Sequence, residues 1–256
     1  MVENHRELLH RKANIASIPP LKNGADWLVD AKAKADAFAK TFASKSSLPD
    51  EVVDTPFFGN PDFSMVEFVP FRTRATRNLF SKLDESKATG YDRISASILK
   101  RLGDLLAMQF TRVCRRLYYE GCWPEIWKLH LIVPIYKKGA AFNPGNYRGV
   151  HLTTILSKLA EKVIGARVVP FLKTYAFGEN QWPFSQGLGA RDSVTMLMMS
   201  WIVVCSNKKI GAYLSDISGA FDRVFKIYML AKLQAAGVEI HFLNFLDSTF
   251  LLGVAK

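Results

Sequence analysis

The 256-residue chain has only three cysteines, Cys114, Cys122 and Cys205, and none belongs to a CxxC pair. Its five histidines show no HxxxH spacing, so the usual signatures of a structural zinc site are missing. The odd cysteine count offers no disulfide framework, and the charged stretch from Met1 to Arg11 lacks the apolar run of a secretory leader. Both features point to a reducing intracellular compartment, nucleus or cytoplasm. Acidic residues are scarce as well, 23 Asp and Glu against 34 Lys and Arg, which gives a formal net charge of +11. That excess calls for an anionic partner, nucleic acid or an anionic membrane surface. The longest apolar run, around SVTMLMMSWIVVC, falls short of the roughly 20 residues of a membrane span, so a membrane is not expected as partner.

What the chain does have is a hydrophobic content of 49% with 12% aromatics, enough for a globular core in one large domain or two ordinary ones. Residues 1–22 are polar and basic, closed by Pro19 and Pro20, and read as an arm or linker. Asp30 is placed to cap a helix with Ala35, Phe38, Ala39 and Phe42 at helical spacing, and the breaker-rich SKSSLPDEVVDTPFFGNP follows. Residues 1–72 are therefore expected to be a variable, partly flexible connector with one helix. From about Thr73 the pattern predicts a helix to Leu83, a turn at KATGYDRIS, and one long helix with a core stripe of Ile98, Leu99, Leu102, Leu105, Leu106, Val113 and Leu117. LHLIVPIY and NYRGVHL have strand composition and would form a hairpin with the long tip KKGAAFNPGN. Helices are expected over 154–169 and 192–205, then a strand at IGAYLSD, then helices over 225–236, capped by Gly237, and 241–250.

Three groups carry candidate chemistry. In YLSDISGAFDRV, strand alternation ends an apolar run on Asp216 beside a glycine turn, which suits a working carboxylate. An Asp before Ser-Gly also caps turns by bonding its own backbone, and Asp222, near a helix start, reads most simply as a cap or dipole partner. From Lys128 to Lys173 there are eight Lys and Arg and a single acid, Glu161. Lys137, Lys138 and Arg148 of this set sit on the expected hairpin, where a mobile ammonium and a planar guanidinium fit a polyphosphate; a solvated basic loop is the plainer alternative. NQWPFSQGLGARDS mixes aromatics with Gln181 and Arg191 and could stack on bases, or it could anchor a loop to the core.

Taken in order, KATGYDRISASILK, EGCWPEIWKLHLIVPIYKKG, NPGNYRGVHLTTILSKLAEKVI, NQWPFSQGLGARD and YLSDISGAFDRV resemble the reverse transcriptase region of non-LTR (LINE-type) retrotransposons. The resemblance covers roughly Thr73 to the end of the sequence. It implies an α+β, helix-rich fold, the fingers and an incomplete first part of the palm of a right-hand polymerase over 73–256. It also implies an RNA-directed DNA polymerase, a nucleotidyltransferase working on an RNA template and DNA primer with deoxynucleoside triphosphates and two Mg2+ or Mn2+ ions, in a ribonucleoprotein. By the resemblance, Asp216 is the first catalytic aspartate and a metal ligand, with the Ile217 carbonyl added, and Asp222 keeps no assigned role. Lys137 or Lys138 with Arg148 would grip the triphosphate, Phe221 would exclude a ribose 2′-OH, and Gln181, Phe184, Gly187 and Arg191 would lie near template and primer.

The chain departs from the family pattern at three places. Arg148-Gly149-Val150-His151 stands where the family reads RPIS, replacing a rigid proline by glycine. Leu188 stands where many members have Arg. After Asp222 the chain offers only Glu239 and Asp247 as acids, neither in a YADD-type turn, so the expectation is a polymerase fragment, truncated after the first catalytic-aspartate block and inactive as an isolated chain. The alternatives are a non-catalytic nucleic-acid-binding fragment and a retroelement relic.

Overall fold

In the computed structural model the described residues are 18–46, 71–175, 182, 187–204, 209, 211–216, 219–220 and 224–249. They form an α+β structure in which helices supply the core and the two small antiparallel sheets have two strands each. The first sheet pairs β1 (Leu21–Asn23) with β2 (Asp26–Leu28). Gly24, at φ 63°, takes the left-handed turn position that a side chain would strain. Helix α1 (Ala31–Ser46) follows, and its start is capped as expected: Asp30 Oδ2 accepts from the amides of Lys32 at 2.9 Å and Ala33 at 3.1 Å.

The main core is built by α2 (Thr73–Ser81), α3 (Ala96–Arg101), α4 (Gly103–Tyr119), the short α5 (Glu125–Lys128), α6 (Ile155–Tyr175), α8 (Lys226–Ala235) and α9 (Ile240–Thr249). One long helix was expected across 98–117; two are found, because the chain turns at Leu102. Gly103 begins the second helix directly against Phe80, where an added Cβ would stand 2.6 Å from the phenylalanine Cβ. That close approach selects the face made of Gly103, Ala107, Phe110, Thr111, Cys114 and Tyr118 for burial. Four of the leucine-rich stripe's members, Ile98, Leu102, Leu105 and Val113, are exposed instead. Small residues next to an aromatic ring outcompete larger aliphatics when two helices pack this closely.

The second sheet is the expected hairpin, β3 (Leu131–Tyr136) and β4 (Tyr147–Leu152). At its far end Thr154 Oγ1 accepts from the Ser157 amide at 3.2 Å and opens α6, with both residues fully buried. The KATGYDRIS turn packs on this junction: a Cβ on Gly90 would lie 2.6 Å from the Thr153 carbonyl oxygen. Helix α7 (Ala190–Val204) is mostly apolar yet has no buried residue, with Ile202 and Val203 among its exposed side chains. Gly237, at φ 81°, ends α8, with the Val238 amide donating to the Leu233 carbonyl at 3.0 Å in a left-handed cap, as the sequence predicted.

The strand expected at IGAYLSD is not present in residues 211–216, which have no regular structure. Tyr213 and Leu214 are 92% and 87% exposed. A strand is held by a neighbour's backbone groups, and the only strand pairs among the described residues are β1–β2 and β3–β4.

Candidate nucleic-acid and nucleotide site

The β3–β4 register decides how the three basic residues of the hairpin relate. Ile135 pairs with Arg148 and Tyr136 with Tyr147, and the Lys137 amide donates to the Asn146 carbonyl at 2.9 Å, continuing the ladder one step. Side chains alternate across a strand, so Lys137 shares the face of Ile135 and Arg148, diagonally next to the arginine at about 7–8 Å between backbones. Lys138 lies one residue further, in the tip. All three are exposed, and none has an ion pair with a carboxylate among the described residues. The sequence left Lys137 and Lys138 as equal partners for Arg148; the register groups Lys137 with it.

The tip that carries the two lysines and leads into Arg148 is closed by its own hydrogen bonds. Asn143 Oδ1 accepts from the Gly145 amide at 2.8 Å, Asn146 Nδ2 donates to the Ala140 carbonyl at 2.9 Å, and Tyr147 Oη donates to the Ala141 carbonyl at 2.7 Å. Tyr136 Oη donates to the Gly139 carbonyl. Gly139, at φ 88°, lies against the Asn146 side chain, where an added Cβ would stand 2.8 Å from Nδ2. A ten-residue polar tip is thereby a folded turn rather than a loose loop.

The opposite face of the hairpin is covered by residues 18–46, which the sequence read as arm and connector. Phe38 and Tyr147 pack edge to face at 4.9 Å, Trp27 meets Phe142 at 5.6 Å, and the Lys22 amide donates to the Phe142 carbonyl at 2.8 Å. Lys45 Nζ donates to the carbonyls of Gly145 at 3.0 Å and Tyr147 at 3.4 Å. Gly149 stays in the ladder opposite Pro134. A Cβ there would meet Ile132 at 2.9 Å and the Phe42 ring at 3.4 Å. In place of a rigid proline, glycine gives α1 room to close on the strand. No local pattern in the sequence signals Lys45 or Phe42 as partners of a hairpin a hundred residues away.

Asp216 is described and exposed at the end of an irregular segment, while Ile217, Phe221 and Asp222 lie outside the described residues. Gly187, at φ 79°, and Arg191 stand at the start of α7, where Asp192 Oδ2 accepts from the Gly189 amide at 2.7 Å; Gln181 and Phe184 lie outside the described residues. The structure thus brings together the hairpin cations, and leaves Asp216 and the start of α7 on separate segments. No group of three His, Cys, Asp or Glu able to hold a metal ion occurs among the described residues. One solvated carboxylate does not fit a pair of divalent ions, which need several oxygen ligands each.

No protein-family model matches the sequence. The chain is 24% identical over 225 residues to a Drosophila melanogaster protein described as "Probable RNA-directed DNA polymerase from transposon X-element", a match covering 84% of this chain and 25% of that protein. It is 25% identical over 168 residues to "Probable RNA-directed DNA polymerase from transposon BS" of the same organism, covering 64% of this chain and 18% of the relative. The chain is reverse-transcriptase-like, similar over most of its length to transposon polymerases. It spans no more than about a quarter of the length of these curated relatives.

Proposed function

We propose that these 256 residues form the fingers, and the beginning of the palm, of an RNA-directed DNA polymerase of a non-LTR retrotransposon. On this reading the unit binds template, primer and nucleotide, and does not by itself polymerise. The observation that carries it is the hairpin: Lys137 and Arg148 on one exposed face with Lys138 at the tip, all free of carboxylates among the described residues, on a turn locked by hydrogen bonds. A guanidinium makes two parallel hydrogen bonds to phosphate oxygens while an ammonium adds a movable charge, a combination suited to the triphosphate of an incoming nucleotide. Asp216 is the carboxylate the resemblance assigns to the chemistry, with Asp222 left unassigned, and the nucleotidyl transfer expected of the family needs a further pair in a YADD-type turn that these 256 residues do not contain. A non-catalytic nucleic-acid-binding role is the same set of contacts without the chemistry.

Two assays test this. Primer extension on an RNA template with Mg2+ or Mn2+ should give no template-dependent product from the chain alone; synthesis abolished by Asp216→Ala would overturn the non-catalytic part. Binding of a primed RNA template should weaken with rising salt, and replacing Lys137, Lys138 and Arg148 by Ala should lower the log–log salt slope by about two to three. Unchanged binding and slope in that variant would overturn the assignment of the hairpin. Asp216→Asn should leave binding as it is.

A further inference from the structure

We infer that Lys45 of helix α1 is a positioning residue for the phosphate-gripping hairpin, a role that rests on the reading of Lys137 and Arg148 given above. Three consecutive backbone carbonyls, where the tip enters β4, are divided between two donors. Those of Gly145 and Tyr147 both accept from Lys45 Nζ, at 3.0 and 3.4 Å, and the one between them, on Asn146, accepts from the amide of Lys137 at 2.9 Å. Tyr147 leads directly into Arg148. The ammonium of Lys45 therefore fixes the short turn from which both cations of the exposed face are hung, one through its amide and one through the chain.

The docking of α1 explains why Lys45 reaches that turn. Phe38 stacks on Tyr147 edge to face at 4.9 Å and on Phe42 at 5.8 Å, and the Phe42 ring fills the space that the missing side chain of Gly149 leaves. Lys45 Nζ stands 5.7 Å from the centroid of the Phe42 ring, so the helix face that buries Phe38 and Phe42 delivers the ammonium one turn further on. Alternation in the strand puts α1 behind the hairpin and the Lys137–Arg148 face in front. Lys45 acts through the backbone from the covered side and does not compete for the ligand. An ammonium donating to two carbonyls aligns them, and with them the direction of the following side chains, a demand that a purely apolar contact between α1 and the sheet would not meet.

The test uses the full 256-residue chain and inorganic tripolyphosphate as probe, by calorimetry at low salt. Lys45→Met keeps the apolar stem against Phe42 and removes the donor together with its charge, so amide exchange at Lys137, which needs no anion, separates positioning from lost attraction. The substitution should weaken tripolyphosphate binding roughly five- to tenfold, the effect of about one lost hydrogen bond, while the thermal midpoint stays within the change expected of a surface substitution. Lys45→Arg, which can still span both carbonyls, should restore binding. Unchanged affinity in Lys45→Met, with binding abolished when Lys137, Lys138 and Arg148 are Ala, overturns the positioning role and leaves the hairpin assignment standing. Tripolyphosphate binding that survives the triple substitution overturns both. Amide exchange gives an independent readout: Lys45→Met should speed exchange at Lys137, and an unchanged rate there overturns the proposal whatever the tripolyphosphate result.

Discussion

His130 and His151 meet Nδ1 to Nδ1 at 3.3 Å across the base of the β3–β4 hairpin, their rings 88° apart. A hydrogen bond between two imidazole nitrogens needs one to donate and the other to accept, so protonation of both breaks it. Burial, then the charges of His151 and Lys158, hold His130 below the usual histidine range. Its neutral form is thus favoured in the folded state. The associated stability is complete above the unfolded value of about 6.5 and is lost as pH falls toward the lowered folded value, because the unfolded chain takes up the proton first. The thermal midpoint should fall between about pH 7.5 and 5, and His130→Gln should flatten that fall. Equal slopes in the two proteins would remove His130 as its origin.

The KATGYDRIS turn sits on backbone rather than side chains, which sets a sharp expectation for its glycine. An added Cβ on Gly90 would be 2.6 Å from the Thr153 oxygen and 2.7 Å from the Thr154 Cα, atoms that cannot move without opening the start of α6. Gly90→Ala should cost about 3 kcal/mol, the upper end of overpacking. Arg93, in the same turn, holds φ at 57°, a conformation costing a residue with a Cβ roughly 1–2 kcal/mol. Arg93→Gly should leave stability within about 1 kcal/mol of the parent or raise it, the strain relief being offset by glycine's greater unfolded entropy. Denaturant unfolding of both variants checks the pair, and a Gly90→Ala protein as stable as the parent would show that the turn does not rest on Thr153.

What the sequence made legible was local. The hairpin followed from β-branched content on either side of a glycine- and asparagine-rich tip, the Asp30 and Gly237 caps from residue type and position, and the basic cluster from charge alone. The break at Leu102 was hidden because the leucines advertised one helix face while the contact between Gly103 and Phe80, far apart in sequence, selected another. Residues 211–216 alternate as a strand should, yet pairing is a property of two segments, and no described strand pairs with them. Lys45 and Gly145 are separated by 100 positions, and nothing in either neighbourhood signals the other. Among the candidate residues, the register decided the place of Lys137, whereas Asp216 retains only what the resemblance implied.

The two described free cysteines should differ in reactivity by their environment. Cys114 is buried on the core face of α4, and burial pushes its thiol up to about 12, so the nucleophilic thiolate is negligible near neutral pH. Cys122 is exposed beyond Gly121 at the end of the same helix, with Sγ 3.3 Å from the Glu120 carbonyl. Iodoacetamide under native conditions should label Cys122 and spare Cys114, with labelling of Cys114 appearing only as the protein is unfolded. Peptide mass spectrometry assigns the sites, and rapid native labelling of Cys114 would contradict its burial in the main core.

Thr76 and Thr111 place their hydroxyls 2.9 Å apart in the interface of α2 and α4, and each also reaches a carbonyl one turn back, Arg72 at 3.3 Å and Ala107 at 2.6 Å. Both side chains are about 1% exposed, so water cannot replace a lost partner. Thr111→Val keeps the shape and removes one hydroxyl, leaving Thr76 with only its longer bond to Arg72. The expected cost is about 1–2 kcal/mol. Thr76→Val should cost less, since Thr111 retains the short bond to Ala107. The double substitution removes both polar groups from a dry interface, and its cost should fall below the sum of the singles by about 1 kcal/mol, the signature of a direct contact. Strict additivity in urea unfolding would mean that the two hydroxyls answer only to their own helices, and that Phe80 and Phe110, 5.6 Å apart between ring centroids, hold α2 against α4 without them.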